Sequence, residues 1–216
     1  MKKKVMKEST AWQIGAHTVM IIGSLLAILP FILLVIASFT DNQTALVNGY
    51  SFTPEKWSLE AYQYIASEWA TIGRAYLMTI LVTVIGTALS LVITSTFAFA
   101  VSNDKLPGHK ILMFLCIFTM LFNGGLVASY YVYSNIFHIK NTIWALIVPT
   151  FLMSPFNVVL VKNYFSNSIS PSILEAARMD GAGVFAVFTK IVMPLSVPIM
   201  ATVGLMTAIG YWNDWT

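Results

Sequence analysis

The chain has 216 residues, 12 of them Lys or Arg and 9 Asp or Glu, so 10% are charged, where a soluble globular domain carries about 25%. With 57% hydrophobic residues, an ordinary water-facing surface is excluded and lipid is the expected solvent. The single cysteine, Cys116, excludes an intrachain disulfide.

The charges leave five long neutral runs: Ser9 to Thr40, Ala75 to Asn103, Ile111 to Ile139, Asn141 to Val161 and Ile191 to Asn213. About 20 apolar residues cross the hydrocarbon core as a helix, so each run holds one span. An all-α membrane protein follows, with spans at about 17–39, 75–101, 111–133, 142–161 and 191–212. Residues 1–16 form a tail carrying Lys2, Lys3, Lys4 and Lys7, and 17–216 form one membrane domain. The first run exceeds the 7–15 or so residues of a secretory h-region and is followed by further spans, so it is read as a retained helix.

After the first span, residues 41–73 form the longest stretch outside the membrane. Within it Leu59, Tyr62, Ile65 and Trp69 recur at helical spacing, which predicts a surface helix over Ser58 to Trp69. In the second span Thr79, Thr83, Gly86, Thr87, Ser90 and Thr94 share one face. Small and hydroxylated residues let helices approach closely in lipid, and such a face serves either packing or a solute path.

The third span carries Asn123-Gly124-Gly125, which interrupts the helix or admits a close neighbour. The fourth carries Pro149, Pro155 and Asn157, and the fifth Pro194 and Pro198. Each proline frees the carbonyl four residues earlier and marks a kink. Mid-span ionisable residues are absent from the sequence, which suits a neutral, hydroxyl-rich solute better than ion-coupled transport.

With the N-terminus in the cytoplasm, inner segments carry nine basic residues: Lys2, Lys3, Lys4, Lys7, Lys105, Lys110, Lys162, Arg178 and Lys190. Outer segments carry Lys56, Arg74 and Lys140. This asymmetry follows the positive-inside rule.

The inner loop 162–190 is punctuated as a short helix. Ser170-Pro171 forms an N-cap and N1 pair, Ser172 to Glu175 also fits a capping box, and Gly181 supplies a left-handed terminator. Glu175-Ala176-Ala177 precede Gly181 by three residues, and after nine more come Ile191 and Pro194. This spacing resembles the EAA loop of ATP-binding-cassette importer permeases, with Met193 where leucine is usual.

The remaining chain is similar to carbohydrate-uptake permeases of the maltose type, and Phe122 to Leu126 resembles their oligosaccharide and polysaccharide branch. The resemblance implies a type I importer transmembrane domain in the cytoplasmic membrane. It implies a second permease subunit, an ABC ATPase dimer and an extracellular solute-binding protein as partners, with ATP bound by the ATPase and no cofactor of the chain's own. It assigns ATPase docking to Glu175, Ala176, Ala177, Asp180, Gly181, Ile191 and Pro194. Asn123, Gly124, Gly125 and Asn157 are the expected path residues. Such permeases have six spans, so the resemblance also implies a C-terminal truncation of about 70 residues once a loop, a final span and a tail are allowed for.

Other readings are a permease for a non-sugar solute, an intramembrane enzyme, or a membrane scaffold. Against an enzyme, His17, His109 and His138 are not spaced for metal, and the sequence contains no hydrolase or metalloprotease motif and no Walker A run. Gly181 to Ala186 satisfies the loose dinucleotide pattern G-x-G-x-x-A, but a helix is expected before it where the pattern needs a strand.

Overall fold

The computed structural model describes residues 10–104, 106–149 and 151–214. Their regular elements are helices joined by turns and irregular stretches, with a single isolated bridge between Thr40 and Trp57 among the described residues. The chain divides into two compact units, Met1–Arg74 and Ala75–Thr216.

In the first unit, α1 spans Thr10–Ser38, with Pro30 inside it. It is apolar on every side and exposed for most of its length, as lipid-facing helices are. The chain beyond is tied into a closed loop. Asp41 N donates to the Lys56 carbonyl and Ser58 N to the Phe39 carbonyl, while Lys56 Nζ reaches Asp41 Oδ1 at 2.9 Å.

Asp41 also caps α2 (Asn42–Asn48) by accepting from Thr44 N, and Gly49, at φ 73°, ends that helix. The surface helix expected over Ser58 to Trp69 forms over the shorter range Glu60–Ser67 as α3, and Trp69 instead begins the next helix. Tyr62 joins α3 to the end of α1, with its hydroxyl 2.8 Å from Ser38 Oγ and its ring 5.1 Å from that of Phe39.

The second unit begins within α4 (Trp69–Ser102). At 1.5 Å per residue its 34 residues reach about 51 Å, more than the hydrocarbon thickness of about 30 Å. Of its buried residues, Val82, Gly86, Ser90, Thr94, Ala98 and Val101 recur at three or four and so form one ridge, with Ser95 buried next to Thr94. Next come α5 (His109–Leu121), α6 (Gly125–Tyr131) and a π-turn, Val132–Ile136. They are followed by α7 (Trp144–Ile147) and α8 (Pro155–Ser168). The chain continues through α9 (Pro171–Met179), α10 (Val184–Val187) and a second π-turn, Phe188–Val192. It closes with α11 (Met193–Leu195) and α12 (Val197–Trp212).

The core of this unit joins Ala98 and Val101 of α4, Cys116 of α5, Val158, Val161 and Phe165 of α8, and Met200 and Val203 of α12. Cys116 is therefore a packing residue. A second cluster of Val82, Ile147 and Tyr211 contains the tightest approach in the unit. A Cβ placed on Gly86 would lie 2.6 Å from the Tyr211 ring, and the Tyr211 hydroxyl donates to the Ile147 carbonyl at 2.8 Å. Helix packing is what the small face of α4 achieves at that point. The hydroxyls of Thr83, Thr87, Ser90, Thr94 and Ser196 are buried without a hydrogen-bond partner among the described residues.

The expected count of five spans is not reached. Among the described residues two unbroken helices are long and apolar enough to cross, and two bent pairs raise the number to four. The expected fourth span, 142–161, is divided. Only α7 and the first half of α8 are helical there, because Pro149, Ser154 and Pro155 break the hydrogen-bond ladder between them. α8 instead runs on to Ser168, seven residues into the expected loop.

Candidate functional site

The loop 162–190 is built between two buried anchors. At its entry Phe165 and Ile169 are buried, and at its exit Val187 and Val192. The Phe188 ring lies 5.0 Å from that of Phe99 on α4. Between the anchors, Ser170 precedes Pro171 at the start of α9, where proline's missing N–H costs nothing. The Ser170 hydroxyl meets Ser172 Oγ at 2.7 Å rather than capping the helix. Ser172 lies inside the helix, so the capping box expected from Ser172 and Glu175 does not form.

The other end closes as the sequence suggests. Gly181 takes φ 79°, its N–H donates to the Arg178 carbonyl, and the N–H of Ala182 donates to the Ala177 carbonyl. These two bonds make a Schellman cap, which satisfies carbonyls that the last turn would leave open. Arg178 sits in that last turn, where a cation complements the helix dipole.

Leu174 and Ala177 pack onto the core from one side of α9. Glu175, Ala176 and Asp180 are exposed, as are Met179 at 86%, Phe185 at 78% and Val184 at 71%. Apolar side chains this open, on a loop fixed at both ends, form an interaction surface. On the inward side, a cavity of about 260 Å³ opens between α9 and α4, with Glu175, Arg178, Asp104 and Phe165 among its lining residues.

Ile191 is half-buried in the second π-turn and Pro194 is exposed in α11. The helix bends by 79° between Leu195 and Val197, with Pro194 and Pro198 on either side of Ser196. The Leu195 carbonyl at this bend accepts from the Tyr164 hydroxyl of α8 at 3.2 Å. The kink expected from these prolines is thus present, and a neighbouring helix supplies a donor beside it.

The four expected path residues fall in two places. Asn123, Gly124 and Gly125 mark a 117° bend between α5 and α6 and are exposed. Asn123 Oδ1 accepts from Gly125 N at 2.8 Å, and Gly125 has φ 81°. The triplet interrupts the helix, the first of the two expected outcomes. Asn157 is buried, and its Nδ2 donates to Thr207 Oγ1 of α12 at 3.2 Å. In lipid such a bond joins helices, and it commits that side chain to α12.

The sequence reading missed Thr207 as the partner of Asn157 and Tyr211 as the partner of Gly86. Each pair is separated by more than 45 residues, and no local spacing signals it. It also missed Lys140, whose Nζ lies 5.7 Å from the centroid of the Tyr130 ring.

Residues 92–216 match the family described as binding-protein-dependent transport system inner membrane component. The chain belongs to that family. The match takes in most of the second unit, including the whole loop 162–190.

This inner membrane component is 40% identical to the polygalacturonan/rhamnogalacturonan transport system permease protein YtcP of Bacillus subtilis, over 89% of the chain and 66% of that relative. It is 35% identical to Protein LplC of the same organism, over 88% of the chain and 63% of LplC. The chain thus spans just under two thirds of the length of these two relatives. It is 26% identical to the diacetylchitobiose uptake system permease protein NgcG of Streptomyces coelicolor, over 92% of the chain and 66% of NgcG.

Among solved structures, it superposes with a TM-score of 0.80 and 29% identity on a bacterial ABC transporter involved in the import of the acidic polysaccharide alginate. That match covers 94% of the chain and 71% of the other. The all-helical fold is accordingly that of an ABC importer permease.

Proposed function

We propose that this chain is the permease subunit of an ATP-driven importer for oligosaccharides. It forms the translocation path with a second permease and receives the glycan from an extracellular binding protein. It docks on a cytoplasmic ATPase through residues 162–190, and ATP hydrolysis resides on that separate chain. In this reading the N-terminus is cytoplasmic and Asn123, Gly124 and Gly125 face the path.

The observation that carries the reading is α9. It is a short helix capped at its C-terminal end, pinned at both flanks, and presents Glu175 and Ala176 beside exposed Met179 and Phe185. A helix so held transmits the movement of a docked partner as a rigid rotation or shear. The glycan assignment draws on YtcP, NgcG and the alginate importer, whose descriptions name saccharides or polysaccharides.

The test is Glu175→Lys in the complete assembly. Membrane insertion stays intact, oligosaccharide uptake falls, and ATP hydrolysis no longer responds to substrate. Unchanged substrate-stimulated hydrolysis refutes the docking role. Loss of amino-acid uptake in place of oligosaccharide uptake, on deletion of the chain, refutes the substrate class.

A further inference from the structure

The segment from Gly125 to Ile143 has features that neither packing nor the coupling loop explains. α6 runs directly into the π-turn Val132–Ile136, a geometry that is rare in helices and frequent at functional sites. Immediately after it, His138 at φ 54° and Asn141 at φ 60° are the two non-glycine residues with positive φ among the described residues. That conformation is uncommon outside glycine and persists where the surroundings fix it. The two residues bracket Lys140.

Lys140 has no acidic neighbour along the chain, since Asp and Glu are absent from Lys105 to Leu174. Its contact is the Tyr130 ring, 5.7 Å from Nζ to centroid, within the range of cation–π attraction. The Tyr130 phenol also holds the Lys140 pKa above the ordinary lysine value, so the side chain stays an ammonium across the physiological range. Tyr130 and, in the same stretch of chain, Tyr131 and Phe137 are each more than half exposed. The segment therefore presents a cation held on one exposed aromatic ring, with two further exposed aromatic residues in the same stretch.

A sugar ring offers an aromatic side chain its flat C–H face, and a uronic acid adds a carboxylate at the edge of that face. Ring plus ammonium is the complement of that pair. We propose that Lys140, positioned by Tyr130 in a segment that also exposes Tyr131 and Phe137, binds the carboxylate of uronic-acid residues where an anionic glycan enters from the outer side.

The proposal rests on the reading of the chain as a glycan importer permease with this segment outside. An ammonium exposed at the mouth gathers anionic substrate and is screened by salt. An aromatic belt with a lysine engaged on lipid headgroups uses similar residues, but removing such a lysine leaves any preference for glycan acid over ester unchanged.

The experiment measures binding of labelled trigalacturonate, and of its methyl-esterified form, to the chain with its partner permease in lipid nanodiscs, without binding protein. Lys140→Ala is expected to weaken the acid form about tenfold, the scale of one charge-assisted hydrogen bond, and to leave the ester unchanged. Lys140→Arg retains acid binding, Tyr131→Ala weakens both forms, and added salt weakens the acid form alone.

Equal affinity for acid and ester, no binding of either, or an unaltered Lys140→Ala variant overturns the proposal, and an unaltered variant points to the interfacial belt. Uptake of maltotriose by the complete importer is scored separately. If that uptake persists while the acid preference is absent, the site fails and the glycan reading stands. If no saccharide is taken up, the glycan reading itself fails.

Discussion

Replacing Gly86 by alanine places a methyl carbon 2.6, 2.7 and 3.0 Å from three carbons of the Tyr211 ring, where ordinary carbon contacts lie at about 3.5–4.0 Å. The ring must retreat by about an ångström, and it has little room. Tyr211 is 3% exposed, its hydroxyl is bonded to the Ile147 carbonyl, and its ring meets Phe151 edge-on at 5.2 Å. Phe151 is confined in turn, because a Cβ on Gly210 would lie 2.8 Å from it.

Overpacking costs about 1–3 kcal/mol, and a weakened interhelical hydrogen bond in lipid adds about 0.6 kcal/mol. Alanine's helix propensity returns about 1 kcal/mol. The net expectation from these terms is a loss of about 0.6–2.6 kcal/mol.

Equilibrium unfolding in mixed micelles measures it, with two controls. Gly204→Ala meets only the flexible end of Leu91, at 3.3 Å, and Gly23→Ala meets nothing within 4 Å. Both are expected to be neutral or slightly stabilising. In a double-mutant cycle, the steric part of the Gly86→Ala penalty disappears on a Tyr211→Leu background. A Gly86→Ala protein as stable as Gly204→Ala, or a cycle without coupling, refutes the account of this contact.

Two further outcomes are expected. A reporter that is active only outside the cytoplasm is expected to work when fused near Ala61 and to be silent near Glu175; the reverse pattern inverts the orientation. In the first unit, hydrogen bonds from the Lys56 ammonium and from Thr44 N–H hold the Asp41 carboxyl below its ordinary value. Its contribution to loop order is therefore full above the unfolded carboxylate pKa of about 3.9 and fades as pH falls through the lower folded value. Exchange protection of the Asp41 and Ser58 amides is expected to drop in that acid range, and protection that persists well below it removes the ion pair from the account.

What could be read from the sequence was what is periodic or local. The charge-free runs located α1 and α4, the spacing of Leu59, Tyr62 and Ile65 located α3, and Pro171 with Gly181 bounded α9 to within two residues. α2 was legible but missed: Asp41 at its start and Gly49 at its end are ordinary cap residues. The division of the fourth expected span was partly visible in Pro149 and Pro155, yet a charge-free run measures only apolar length and is blind to where the ladder breaks. Of the site, the capped loop helix was readable because its punctuation is local. The bond from Asn157 to Thr207 and the seat of Tyr211 on Gly86 were not, because side chains 50 and 125 positions apart leave no mark on either neighbourhood.

The shortness of α5 and α8 bears on biogenesis. At 13 and 14 residues they rise about 20 Å each, short of the hydrocarbon thickness of about 30 Å, and neither can partition into lipid alone. α1 and α4 can. The backbone groups left open around residues 123–124 and 151–153 need protein around them before they tolerate membrane depth. Integration during synthesis is therefore expected to follow an order: α1 and α4 leave the translocation channel first, and α5 to α8 stay beside it until protein covers their breaks.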